Sequence, residues 1–276
     1  MERTDFATVR SAGGQTARRD AVLVASFGTS YRESRYVTIG AVESAVREAF
    51  PDCDVYRAFT SPKIRRVLRE RDGIAVDGLA DALERIARTG AHRAFVLPTH
   101  LMDGREFTAL SNTVEGFRPR FDTLRVASPL LADEDDFACV ADALEGAFAP
   151  FDDGRTALCL VGHGTRVEAN EVYAAFERFA RRMGRAQWFV STVGFSPTFA
   201  DVSCAVAAAG FERAVLRPLM LVAGDHARND MAGRDDPESL AGMLAAAGVE
   251  PICVLEGLGQ LSEVADRYVE HLRAIR

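Results

Sequence analysis

Short apolar runs alternate along the whole chain with stretches in which apolar residues recur every three or four positions. The first pattern is that of a strand buried on both faces, the second that of an amphipathic helix. "AVLVASFG" (21–28) reads as the opening strand. A helix over 33–50 follows, with Val37, Ala41, Ala45 and Val46 on one face. "DVYRAFT" (54–60) is the next strand, and "SPKIRRVLRER" and "GLADALERIARTG" read as helices, the second stopping at Gly90 as the residue after its C-cap. "RAFVLPTHL" (93–101) and "RVASPLL" (125–131) are the third and fourth strands, and "FAPFDDGR" (148–155) reads as a linker. The pattern then restarts: strand "TALCLVG" (156–162), helix 168–183, strand "QWFVSTVG" (187–194), a helical stretch to Gly210, strand "RAVLRPLMLV" (213–222), helix 237–247, strand "PICVLEG" (251–257) and a terminal helix. Such alternation predicts an α/β fold of doubly wound parallel sheets covered by helices.

The restart is also a repeat of residues. "VLVASFGTS" (22–30) aligns with "LCLVGHGTR" (158–166), "AFTSP" (58–62) with "VGFSP" (193–197), and "AFVLPTHLMDG" (94–104) with "AVLRPLMLVAG" (214–224), prolines in register. Three matches in one order predict two similar subdomains, residues 20–148 and 149–276, behind a flexible tail of residues 1–19. Parallel sheets bind ligands at the carboxyl ends of their strands, where the strand order switches. Four polar strand ends should therefore face one cleft: "SFGTSY", "HLMDGREF", "GHGTRVEAN" and "GDHARND".

Composition narrows the chemistry. The 276 residues carry 40 acidic against 33 basic side chains, a net charge of −7, and 48% hydrophobic residues. This argues against a nucleic-acid partner, which needs a basic surface. Five scattered cysteines contain no CxxC pair, so neither a disulfide framework nor a thiolate zinc site is expected. The N-terminal twenty residues lack the apolar core of a secretory signal, and no apolar run approaches membrane-spanning length, so a cytoplasmic location without membrane association is expected. No phosphate-binding glycine motif points to ATP or another nucleotide. Of the five histidines, His92 and His271 sit among helix-end charges and read as solvated. His100, His163 and His226 each follow an apolar strand. Any one of them could simply cap its strand; three together favour a shared site. Imidazoles with Glu106, Asp225 or Asp230 would suit an open site for cobalt, nickel, iron or zinc.

"LVASFGTSY", "VYRAFTSPKIRRVLRERDGI", "THLMDGREF", "SPLLADEDDF", "VGHGT" and above all "RPLMLVAGDHARNDMAG" resemble the anaerobic, class II sirohydrochlorin cobaltochelatases of cobalamin biosynthesis, from about residue 20 to the C-terminus. The resemblance implies two α/β subdomains around a tetrapyrrole cleft and ATP-independent insertion of Co2+ into sirohydrochlorin. It implies that His163 and His226 are the metal-site histidines and Glu106 a carboxylate of the same site, the three acting as catalytic and metal-holding residues. Ser26, Phe27, Gly28, Thr29, Ser30, Arg57, His100 and Arg105 would then bind the tetrapyrrole, with Arg57, Arg105 and Arg166 meeting its carboxylates. Asp225 or Asp230 would orient an imidazole. The chain departs from the family at Gly194, where a glutamate is usual, and after "GHG", where Arg166, Val167 and Glu168 replace further histidines; Glu168 could supply a carboxylate from a neighbouring loop. The alternatives are a tetrapyrrole- or metal-binding protein with weak or lost catalysis, or a chelatase for nickel or iron. Self-association is left open.

Overall fold

The computed structural model describes residues 19–166 and 168–276; the expected tail lies outside them except for Arg19. In chain order the elements are β1 (Asp20–Ser26), α1 (Arg32–Val37), α2 (Ile39–Ala49), β2 (Cys53–Phe59), α3 (Pro62–Asp72), α4 (Leu79–Arg88), β3 (Arg93–Pro98), α5 (Arg105–Phe117), β4 (Thr123–Val126) and α6 (Glu134–Phe148). The second half holds β5 (Thr156–Gly162), α7 (Glu171–Arg182), β6 (Trp188–Thr192), α8 (Phe199–Ala208), β7 (Arg213–Pro218), α9 (Leu240–Ala246), β8 (Glu250–Cys253) and α10 (Ser262–Ile275). The strands form two four-stranded parallel sheets with the same topology, β2-β1-β3-β4 and β6-β5-β7-β8. The α/β class and the parallel sheets read from the apolar runs are therefore the observed ones.

Both faces of each sheet are covered. Along β1, Val22 and Val24 enter one apolar cluster while Leu23 and Ala25 enter another; along β5, Leu158 and Leu160 are parted from Ala157, Cys159 and Val161 in the same way. The cluster holding Val22 and Leu158 is common to both sheets. Phe137 of α6 fills it, its ring edge-on to Phe176 and Phe179 of α7 at 5.6 and 5.8 Å. The last helix, α10, packs on α2, α6 and β3, so the chain's end closes over its first sheet. Tyr268 Oη donates to the carbonyl of Thr99 at 3.1 Å, which ties α10 to the end of β3.

Several boundaries differ from the sequence reading, each for a local reason. The helix expected over 33–50 is two helices, broken at Thr38, whose hydroxyl donates to the Ser34 carbonyl at 2.5 Å and competes with helix continuation. β7 ends at Pro218 rather than 222, since proline has no N–H for the ladder. Leu219–Val222 instead form a bent segment: Leu219 N–H donates to Val161, and the Met220 and Leu221 carbonyls accept from Leu258 and Gly259. A Cβ on Gly257 would stand 2.3 Å from the Leu221 oxygen, so that junction needs glycine. Helices α5 and α6 were not marked by the sequence reading, and the strand expected over 125–131 is only Thr123–Val126. His271, read as solvated, is 9% exposed, with Nε2 2.7 Å from Asp136 and Nδ1 3.2 Å from the Ser128 carbonyl. Only the fold of α10 back onto α6 creates that pocket.

Candidate functional site

The carboxyl ends of β1, β3, β5 and β7 open into one cleft of about 860 Å³. This is the switch point of each sheet, where β1 meets β3 and β5 meets β7. The loop Ser26–Ser30 lines it from the first half with His100, Arg105 and Glu106, and His163 and His226 line it from the second. The repeated G-T turns after β1 and β5 have matching geometry. Gly28 and Gly164 take φ of +95° and +77°, and a Cβ on either would strike Phe59 or Phe195 at 2.7 or 2.6 Å. That turn presents Phe27, 47% exposed, in the first half and His163 at the equivalent place in the second. The second repeat aligns Gly104 with Gly224, which places Glu106 opposite His226 in the duplication.

The His163 and His226 rings are edge to face, centroids 4.8 Å apart and planes at 79°. His163 Nδ1 lies 3.0 Å from the Gly164 carbonyl, and His226 Nδ1 lies 2.8 Å from Asp230 Oδ2. Both partners are acceptors, so in the neutral rings each Nδ1 carries the proton and each Nε2 keeps its lone pair. Asp230 reaches His226 from one turn on, within a wide π-type turn at Ala227–Met231. Such turns recur at functional sites because the extra residue redirects side chains. Asp225, the other carboxylate expected to orient an imidazole, instead accepts from Tyr31 Oη at 2.6 Å, and the Arg228 guanidinium lies 4.7 Å from the Tyr31 ring centre. With Ser34 Oγ donating to the Ala223 carbonyl at 3.3 Å, these contacts fasten the two halves beside the cleft.

Glu106 stands in the first turn of α5. Partial desolvation at the cleft wall pushes its carboxyl above the ordinary glutamate value, while the nearby His163 works in the opposite direction. Burial pushes the His100 imidazole down to about 4. Neither His100 ring nitrogen has a hydrogen-bond partner. Among the described residues, no group of three or more His, Cys, Asp or Glu side chains is already gathered tightly enough to hold a metal ion. The crossed imidazoles stand as a pair, with Glu106 lining the same cleft.

Arg57 is not at the cleft. Its guanidinium donates to Glu43 at 2.5 and 2.6 Å, as that 1%-exposed carboxylate requires. Arg166 and Tyr31 line the cleft, and so does the sole lysine, Lys63, which alone of the three the sequence reading did not place there. Lys63 follows Ser61, the N-cap of α3, and Pro62 at its first position, a start signal that fixes where it projects. Glu168 lies in an adjacent recess with Asp103, Arg105 and Asn112. Gly194, at φ +77°, has open space where a side chain would begin. Among the described residues no helix is long and apolar enough to cross a membrane.

A family model described as cobalt chelatase (CbiK) matches residues 20–276. The sirohydrochlorin cobaltochelatase of Salmonella typhimurium is 35% identical over 257 residues, covering 92% of this chain and 95% of that protein. The sirohydrochlorin cobaltochelatase CbiKC of Nitratidesulfovibrio vulgaris is 32% identical over 255 residues, covering 92% and 89%. Among solved structures, SirB from Bacillus subtilis with Fe3+ superposes with a TM-score of 0.65 at 13% identity, over 93% of this chain and 95% of that one, a likeness of fold.

Proposed function

This chain belongs to the cobalt chelatase (CbiK) family, and we propose that it inserts Co2+ into sirohydrochlorin without ATP, as a step of cobalamin synthesis. The observation that carries the reading at this site is the crossed pair His163 and His226, each with Nδ1 held by an acceptor and Nε2 free at the cleft.

Insertion requires a partly desolvated cation, loss of two pyrrole protons, and a macrocycle held so that its lone pairs face the metal. The two Nε2 lone pairs replace water on the incoming Co2+, which suits imidazole donors. Asp230 keeps the His226 tautomer and ring plane, as carboxylates behind metal-binding histidines do. Glu106, its carboxyl raised above the ordinary glutamate value, lines the cleft beside the histidine pair and is the group that would take up and pass on a pyrrole proton. Phe27 offers an exposed ring to a flat macrocycle, and Lys63, Arg105 and Arg166 offer cations to its acid arms.

The test mixes purified protein, sirohydrochlorin and Co2+ and follows the absorbance change against the rate without protein. Acceleration supports the reading; tight tetrapyrrole binding without acceleration overturns it in favour of a binding protein. Competition with Ni2+ and Fe2+ in the same assay decides the metal.

A further inference from the structure

We propose that the N-terminus of α5 and the buried imidazole of His100 form a carboxylate subsite, which receives one acid arm of the bound tetrapyrrole. The proposal rests on the reading above that the occupant is a tetrapyrrole bearing carboxylate arms.

α5 runs for 13 residues, and its N-cap is Gly104, which supplies no side-chain acceptor. The first N–H groups of a helix have no partner within it and point outward at its positive end, an arrangement that favours anions. Here that end faces the cleft, since Gly104, Arg105, Glu106 and Phe107 all line it. Arg105, at the first helical position, adds an exposed guanidinium.

His100 lines the same cleft and is 9% exposed. The chain beside it is anchored by several hydrogen bonds. Thr99 donates its N–H to Ala25, its hydroxyl donates to Ser26 Oγ at 2.9 Å, and its carbonyl accepts from Tyr268. The His100 carbonyl accepts from Leu130. Against that anchored strand end, both ring nitrogens are buried and unpartnered. A buried donor and acceptor left unmade are costly, so such a group marks a place where an occupant completes the bonding. Burial keeps the ring neutral at neutral pH, so one nitrogen is an N–H donor suited to a carboxylate oxygen. The duplication sharpens the point: Met220 stands where His100 would repeat in the second half, so the polar group belongs to the first half alone.

The experiment measures metal-free binding of sirohydrochlorin, and of its fully methyl-esterified form, to the full chain. Variants are His100→Phe, His100→Gln, Arg105→Ala and Arg105→Pro. Proline is tolerated at the first helical position and deletes one N–H there, whereas alanine deletes only the guanidinium. His100→Phe is expected to weaken binding of the free acid about tenfold, the size of one charge-assisted hydrogen bond. His100→Gln should recover most of that loss. Arg105→Pro should bind several-fold more weakly than Arg105→Ala. The ester should bind weakly to the wild type and lose nothing further in His100→Phe. In turnover, KM should rise in His100→Phe with kcat little changed. Wild-type affinity for the free acid in His100→Phe, or equal losses for acid and ester, overturns the subsite. If thermal melting shows His100→Phe unfolded, the Arg105→Pro and Arg105→Ala pair decides. A wild type that binds the acid but inserts no cobalt defeats the proposed function and leaves the binding comparison to judge the subsite.

Discussion

The imidazoles of His163 and His226 meet edge to face, centroids 4.8 Å apart, although one follows β5 and the other the bent segment beyond β7. Each ring sets Nδ1 against an acceptor, and under the proposed function Nε2 is the nitrogen left for the cation. Replacing either with alanine should lower cobalt insertion by about 10²–10⁴-fold, the usual contribution of a positioned acid–base or ligand group. Absorbance kinetics measure this, and an unchanged melting temperature would show that the fold survives.

Under the proposed function Asp230 would act on the cation through His226, by the 2.8 Å contact to Nδ1. Asp230→Ala should therefore weaken Co2+ binding by about 10–100-fold and leave tetrapyrrole binding intact. Separate calorimetric titrations with Co2+ alone and with metal-free sirohydrochlorin alone distinguish the two.

His100 gives stability a defined pH dependence. Its folded pKa is depressed to about 4 from an ordinary 6.5, so between those values the unfolded chain binds more protons than the folded one. Stability from this group is complete above pH 6.5 and is lost as pH falls toward 4. Melting temperatures of wild type and His100→Phe should diverge across that window, the wild type falling more steeply on acidification.

The Asp136 carboxylate, 0% exposed, joins α6 to α10 through Arg267 Nε at 2.5 Å and His271 Nε2 at 2.7 Å. Burial alone would push its pKa up, but these bonds and the Ala132 N–H outweigh it and hold the carboxyl below its ordinary value. Its contribution is present above the ordinary carboxylate pKa of about 4 and is lost as pH falls through the depressed value. Asp136→Ala leaves the buried His271 Nε2 without its partner, while Arg267 keeps Glu270, and should cost about 1–3 kcal/mol, read by urea unfolding at neutral pH.

Gly164→Ala tests the strand-end turn that carries His163. The new Cβ would lie 2.6 Å from Phe195 and 3.0 Å from Thr192 at a φ of +77°. A destabilisation of about 1–3 kcal/mol is expected, with His163 displaced and insertion reduced; chemical denaturation and the absorbance assay report the two effects.

Much of the architecture was legible because buried parallel strands are continuous apolar runs. "TALCLVG" is β5 residue for residue, and the repeat that pairs "SFGT" with "GHGT" reappears as two sheets of one topology and two glycines of positive φ. The strand ends were legible too, since a buried run that turns abruptly polar has reached the edge of its sheet. Side-chain partners were not. Arg57 reads as a rim cation until the buried Glu43 claims it, and His271 reads as solvated until α10 folds back onto α6. Asp225 and Asp230 are equivalent on paper; the wide turn at Ala227–Met231 gives the imidazole to Asp230 and leaves Asp225 to Tyr31.

The sequence by itself determined the class of fold, the duplication and the four polar loops, because those follow from periodicity and from motifs a few residues long. The tertiary structure decided which of those residues meet. It brought two imidazoles into contact from separate strand ends, buried His100 with both nitrogens unmade, and moved Arg57 out of the cleft and Lys63 into it. Those outcomes depend on how two sheets share one core and on which buried charge lies nearest. Distances between residues far apart in the chain enter only when it folds.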